Sequence, residues 1–419
     1  MIVHDTLPNG VRLVTETMPH VRSVSLGVWL ARGSRQETAA HCGIAHFVEH
    51  MLFKGTERRS AQDIAQEIDS MGGNLDAFTS KEYAGYYIKV MDEHLPRAFD
   101  ILSDLVLHPA FPTDEVEREK KVILEEIKMV EDTPDDLVHE MFTEHYWGGH
   151  PLGRPILGTP DTVGAFTRDG LFDYFREAYV GRNFIVSAAG NIDHGHLRGL
   201  VEQAFGGVAD AGADWEETAP GVSPPQIERH KDLEQSHLVL GAPGFPQAHA
   251  DRYAAYLLNI ILGGSMSSRL FQTIREQRGL AYAVFSGLSS YRDTGMLSVY
   301  AGCAAESVAE VLDLVVSELR TLRHDAVPDE ELRRAKDHLK GSLMLSLEST
   351  SSRMTHLARQ EMYFRRHVTL DEILAGVEAA TSDDVRRVAA ALFVPGTLGV
   401  TVLGPAGPSA LDFTRLAVA

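Results

Sequence analysis

Two apolar spacings divide the chain into elements. Alternating apolar positions read as strands at Val11 to Thr15, just after a Pro8-Asn9-Gly10 turn, and at residues 23–31 and 83–90. Apolar residues recurring at i, i+3, i+4 and i+7 predict helices over about 43–54, 60–71, 94–107, 113–130 and 167–178. The strands arrive in hairpin-like succession rather than in strict alternation with helices. That order favours an α+β fold with a largely antiparallel sheet packed with helices over a doubly wound parallel one.

The same pattern runs through the chain twice. At an offset of 210, Ile44-Ala-His-Phe-Val-Glu-His-Met-Leu falls on Ala254-Ala-Tyr-Leu-Leu-Asn-Ile-Ile-Leu. The helical stripe Ala98, Ile101, Leu102 and Leu105 falls on Val308, Val311, Leu312 and Val315. Further along the offset grows to 214, placing Thr167 on Thr381 and Gly190 on Gly404, each pair bracketing a helix and a short apolar strand (residues 184–189 and 398–403). One loop insertion of four residues accounts for the drift, so the two halves read as an internal duplication. The acidic, proline-bearing stretch 209–225 has no periodicity and reads as a linker between domains at 1–208 and 226–419.

Composition narrows the function. With 44% hydrophobic and 23% charged residues the chain is ordinary for a globular protein of 419 residues. A net charge of −20 argues against a nucleic-acid partner, because phosphates demand a basic face. No apolar run reaches the roughly 18–20 residues that span a bilayer, so no membrane association is expected. The start Met-Ile-Val-His-Asp has neither the basic nor the apolar segment of a signal peptide. Cys42 and Cys303 are too few for a disulfide framework and fit a reducing cytoplasm.

The chemistry gathers in the first half. His46 and His50 lie four apart on a predicted helix, so both imidazoles project from one face and can share a metal ion. Glu49, three after His46, is placed to take a proton from a metal-bound water. This reverses the order of the His-Glu-x-x-His zinc-peptidase motif with equivalent geometry. With 19 His and 59 acidic residues, roughly 0.1 such matches arise by chance in this chain. A catalytic zinc site needs a third protein ligand. The predicted helix from Asp114 carries Glu115, Glu117, Glu119, Glu125 and Glu126 as candidates, and Glu119 and Glu126 are two turns apart on one face beside the apolar stripe.

The run His-Cys-Gly-Ile-Ala-His-Phe-Val-Glu-His-Met-Leu-Phe-Lys-Gly-Thr resembles the signature of the pitrilysin (M16-type) family of metallopeptidases, most closely its two-domain branch typified by the mitochondrial processing peptidase. The resemblance implies a LuxS/MPP-like metallohydrolase fold and one Zn2+ per chain. It implies His46, His50 and Glu126 as ligands, Glu126 standing 76 residues after His50, with Glu119 as the carboxylate that orients a His or the water. It further implies that Gly72-Gly-Asn-Leu-Asp-Ala-Phe-Thr-Ser is a substrate-edge strand. Asp76, Ala77 and Phe78 would meet substrate there, Asp76 standing where the family pattern has Asn. In the second half, the segment from Leu270 to Tyr282 resembles the family's Arg/Tyr segment, so Arg275 and Tyr282 are expected to hold substrate or polarise its carbonyl.

Tyr256, Asn259 and Ile260 stand where the first half has His46, Glu49 and His50, so the second half is expected to be catalytically silent at that position. The expected activity is zinc-dependent endopeptidase cleavage of short or unfolded polypeptides, with Glu49 as general base and a cytoplasmic homodimer as the working form. Three rivals remain: a non-catalytic assembly subunit, a zinc-binding subunit inert without a second polypeptide, and a zinc hydrolase of small amides.

Overall fold

The Asn-Gly turn joins β1 (Ile2–Thr6) to β2 (Arg12–Thr17), with Gly10 at the left-handed φ of +86° that such a turn requires. β3 (Ser23–Leu30), β4 (Asn74–Thr79), β5 (Ala84–Met91) and β6 (Phe184–Gly190) complete a six-stranded sheet in the order β1-β2-β6-β3-β5-β4. The β2–β6 pair is parallel and every other pair is antiparallel. Eight helices accompany these strands: α1 (Ile44–Leu52), α2 (Ala61–Ser70), α3 (Leu95–Leu107), α4 (Thr113–Asp132), α5 (Pro134–Tyr146), α6 (Pro160–Ala165), α7 (Arg168–Ala178) and α8 (His194–Phe205).

The second half repeats the plan. β7 (Gln226–His230), β8 (Ser236–Gly244), β9 (Ala281–Ser290), β10 (Gly295–Cys303) and β11 (Gly399–Gly404) form a five-stranded sheet in the order β7-β11-β8-β10-β9. Its one parallel pair, β7–β11, is the counterpart of β2–β6. The same half of the chain carries α9 (Arg252–Leu262), α10 (Val308–His324), α11 (Asp329–Ser346), α12 (Thr350–Phe364), α13 (Leu370–Ala379) and α14 (Ser382–Leu392), with a wide π-type helix over Phe271–Gln277. The duplication read from apolar spacing is thus repeated in strand order. This is a computed structural model that describes residues 1–210, 218–405 and 412–418, so residues 211–217 of the expected linker lie outside the described residues.

Packing departs from the contiguous division 1–208 and 226–419. One compact unit comprises Met1–Met129, Arg154–Glu216 and Leu345–His367; the other comprises Val130–Gly153, Glu217–Met344 and Val368–Ala419. Each unit therefore contains a helix from the opposite half. In the first, α12 lays Met354, Leu357, Ala358 and Met362 on Val14, Met18, Trp29, Ile185 and Ala189 of the sheet. In the second, α5 lays Leu137, Val138, Met141 and Phe142 on Val239, Met296 and Leu403. Both contacts pass over a glycine of the matching strand. A Cβ on Gly27 would meet Met354 Sδ at 3.1 Å, and one on Gly241 would meet Phe142 Cζ at 2.3 Å. The departure has a simple cause. An apolar stripe specifies that a helix is buried, not which sheet it is buried against.

α1, β4 and α4 position the candidate site. Ile44, Ala45, Phe47, Val48, Met51 and Leu52 bury one face of α1 in the first core, which leaves His46, Glu49 and His50 together on the remaining stripe. α4 runs Val116, Glu119 and Ile123 along its buried stripe, and Glu126 continues it one turn on. Its other face is a charged, solvent-facing surface, where the exposed Glu125 pairs with Lys128 at 2.7 Å.

Candidate metal centre

Three donor groups converge in the first unit. His46, His50 and Glu126 each offer one ligand atom, and those atoms lie within 4.8 Å of one another. His46 Nε2 is 3.7 Å from Glu126 Oε2, and His50 Nε2 is 3.7 Å from Glu126 Oε1. Tetrahedral zinc with bonds of about 2.0–2.1 Å holds its ligand atoms about 3.3 Å apart, close to the spacing found here. The imidazole rings, 4.6 Å between centroids and inclined at 60°, are tilted rather than stacked.

Burial and neighbouring groups set the state of the two imidazoles. Glu119 Oε2 lies 2.9 Å from His50 Nδ1, which places the proton on Nδ1 and leaves the Nε2 lone pair free for a metal. Lys54 Nζ lies 2.6 Å from the other Glu119 oxygen. Burial lowers the His46 pKa to about 3, with His50 adding to the shift, so this imidazole is neutral throughout the physiological range, as a ligand must be. Burial pulls His50 down, but the Glu119 bond and the Glu126 and Glu119 charges outweigh it and hold the group above its ordinary value. Burial pushes Glu119 upward, yet its bonds to His50 and Lys54 win and keep it below the usual carboxylate range. The donor set, two imidazoles and a carboxylate with an orienting acid behind one of them, fits zinc.

Glu49 shares the His stripe but has a different partner. Thr79 of β4 donates its hydroxyl to Glu49 Oε2 at 2.5 Å, tying the carboxylate to the edge strand. Burial raises the Glu49 pKa; the Thr79 bond opposes that shift without cancelling it. A carboxyl group with a raised pKa is better matched to proton transfer near neutrality.

β4 is the last strand of its sheet, so one of its edges has no strand neighbour. Leu75 and Ala77 pack toward the first core, on the side where Thr79 meets Glu49. Asp76 and Phe78 face the other way. Asp76 is exposed and accepts from Tyr87 Oη at 3.0 Å and from the Ala77 amide at 2.8 Å. Phe78 packs at the rings of Trp29 and Tyr83, 5.8 and 5.7 Å between centroids. Arg275 and Tyr282 belong to the second unit and come together there. The Arg275 guanidinium lies 4.6 Å from the Tyr282 ring and 4.8 Å from that of Phe271, and Tyr282 is 77% exposed.

Three residues of this neighbourhood escape sequence reasoning. Lys54 had a signal, since it follows His50 by one helical turn. Thr79 had a weaker one, as the last residue of Asp-Ala-Phe-Thr. Glu37 had none: it lies in the loop before α1, and its buried carboxylate accepts from the amides of Gly43 and Ala45, both at 2.8 Å. Burial pushes its pKa up to about 8, with the two amide bonds pulling the other way.

Relatives match this chain along most of its length. A zinc protease of Bacillus subtilis, YmxG, is 44% identical over 407 residues, covering 97% of this chain and 99% of its own. The zinc protease Rv2782c of Mycobacterium tuberculosis is 42% identical over 409 residues, covering 96% and 93%. Two solved structures share the fold. A peptidase M16 inactive-domain protein of Pseudomonas fluorescens superposes with a TM-score of 0.91 at 22% identity, covering 97% of this chain and 98% of its own. A protease of Helicobacter pylori does so with a TM-score of 0.88 at 23% identity, covering 96% and 99%. The family model described as Insulinase (Peptidase family M16) matches residues 12–160, and that of the Peptidase M16 inactive domain matches residues 165–339. With identity above 40% along nearly its whole length, this chain belongs to peptidase family M16.

Proposed function

We propose that this chain is a zinc-dependent endopeptidase acting on short or unfolded polypeptides, with His46, His50 and Glu126 holding one Zn2+ and Glu49 acting as general base. The observation that carries this reading is the convergence of the three donor atoms within 4.8 Å, on the same helix face that presents Glu49. A zinc ion bound there supplies Lewis acidity, lowering the pKa of a water toward about 7 and polarising the scissile carbonyl.

The residues of the chain do the rest. Glu49 takes the proton of the attacking water and returns it to the leaving amine. Thr79 holds the Glu49 carboxylate in place. Glu119 keeps His50 in the tautomer whose Nε2 can ligate, and Lys54 keeps Glu119 charged. The free edge of β4 takes substrate as an added strand beside Asp76, Ala77 and Phe78, with main-chain hydrogen bonds supplying sequence-independent affinity. Arg275 and Tyr282, already paired, hold substrate or its developing oxyanion.

Among the described residues no helix is long and apolar enough to cross a membrane, and a cytoplasmic homodimer is the working form we assign. Sedimentation at working concentration tests the dimer, and a monomeric mass would remove it. The decisive experiment is hydrolysis of a mixed quenched-fluorescent peptide library, wild type beside Glu49→Gln. Cleavage abolished by the substitution supports a self-sufficient peptidase. Inactivity of the zinc-loaded wild type would overturn it in favour of a subunit awaiting a partner polypeptide.

A further inference from the structure

We infer that Glu37 is the positioning residue that sets the register of α1 and thereby the geometry of the metal ligands; this rests on His46 and His50 being zinc ligands. The N-terminal residue preceding α1 is Gly43, at φ +93°, which has no side chain to cap the helix. The first turn of any helix presents amide groups that need acceptors from outside. Glu37 supplies them, one carboxylate oxygen to Gly43 and the other to Ala45, each at 2.8 Å. Ala45 immediately precedes His46. The clamp therefore acts one residue from the first ligand and about one and a half turns from the second.

The carboxylate is itself held. Glu37 is 4% exposed, and its main-chain carbonyl accepts from Arg154 Nη1 at 2.8 Å. Gly43 sits so close to the loop that follows Arg154 that a Cβ there would lie 2.6 Å from Gly158 Cα, while Thr162 Oγ1 donates to the Cys42 carbonyl at 2.7 Å. Both Glu37 oxygens accept from amide N–H groups, and these two bonds oppose the upward push that burial exerts on the acid.

The molecule carries its own control. α9 is the counterpart of α1 but bears no ligands. There the amide of the preceding residue, Asp251, donates to His249 Nδ1 at 3.1 Å, and the Asp251 carboxylate is engaged by Arg387 at 2.8 Å. The ligand-bearing helix thus has a carboxylate that takes two of its terminal amides, where the ligand-free helix has an imidazole that takes one.

The test measures zinc affinity of the full chain by chelator competition. Glu37→Gln retains the shape but turns an amide NH2 toward one of the two N–H donors, so affinity should fall about 10- to 100-fold, the range for groups that orient metal ligands. The visible spectrum of the cobalt-substituted variant should shift from wild type. Thr162→Val, which loosens the same loop without touching the carboxylate, should lower thermal stability and leave affinity and spectrum unchanged. Glu37→Gln with wild-type affinity and spectrum would overturn the inference, as would Thr162→Val weakening zinc equally. If Glu37→Gln does not fold, hydrogen exchange on the wild type decides. Slow exchange at Gly43 and Ala45 is expected, and exchange at open-chain rates overturns the clamp. Failure of the wild type to bind zinc at all would instead overturn the ligand assignment.

Discussion

At the positions where α1 carries His46, Glu49 and His50, α9 carries Tyr256, Asn259 and Ile260, and the second set is turned to packing. Asn259 Oδ1 accepts from Ser286 of β9 at 2.8 Å, Tyr256 Oη accepts from Gln247 at 3.4 Å, and Ile260 packs against the second core. In α1, too, a hydroxyl of an edge strand bonds the central residue, Thr79 to Glu49. A helix tied to the edge strand through a side-chain hydroxyl is thus common to both units. What separates them is whether the tied group can carry a proton and whether imidazoles flank it. Among the described residues His46, His50 and Glu126 are the only three-membered donor group. The scaffold permits a metal site and does not by itself make one.

The largest expected effect tests that distinction directly. Glu49→Gln should lower turnover by at least about 10²–10⁴-fold with zinc retained, whereas Asn259→Asp should leave turnover unchanged. Measured rates beside metal content check both, and a loss at Asn259 would undo the asymmetry. The borrowed helices should matter in both units. Leu357→Ala should cost about 2–5 kcal/mol and Phe142→Ala about 3–5 kcal/mol in denaturant unfolding. A negligible cost for either would show that its sheet does not depend on the exchanged helix.

A smaller effect separates the two edge-strand bonds. Thr79→Val should reduce kcat by about tenfold, from one lost hydrogen bond to a charged group, while KM stays near wild type and Thr79→Ser restores the rate. A change confined to KM would assign Thr79 to substrate instead. The smallest effect is in pH. His46 titrates at about 3 and His50 above its ordinary 6.5, so a single proton, on His50, should compete with zinc as pH falls through the folded His50 value. The sign for the metal-free protein is opposite. A raised His pKa contributes stability that is full below 6.5 and is lost as pH rises through the folded value, so melting should fall slightly where zinc binding tightens. A two-proton dependence of zinc affinity would contradict the neutral state of His46.

Much of the site was legible because it is local. His46, Glu49 and His50 declare themselves by helical spacing, and each half announces the other by its repeated stripe. Glu126 needed the long spacing of a resemblance, since periodicity alone left several acids on α4. Thr79 carried only the faint signal of its place in Asp-Ala-Phe-Thr and Glu37 carried none, for a physical reason: each acts across elements, and a single hydroxyl or loop acid has no periodicity. Asp76 lies on an edge strand. Its turn away from Glu49 follows from strand alternation that the apolar neighbours Leu75 and Ala77 already imply.

The exchange of α5 and α12 gives the protein a history on the ribosome. The last strand of the first sheet ends at Gly190, but the helix that shelters Trp29, Ile185 and Ala189 begins only at Thr350. At about 5–20 residues per second of synthesis, that face waits on the order of ten seconds for its cover. For that interval Trp29, Ile185 and Ala189 lack the helix that covers them, and apolar surface exposed in this way is prone to aggregation.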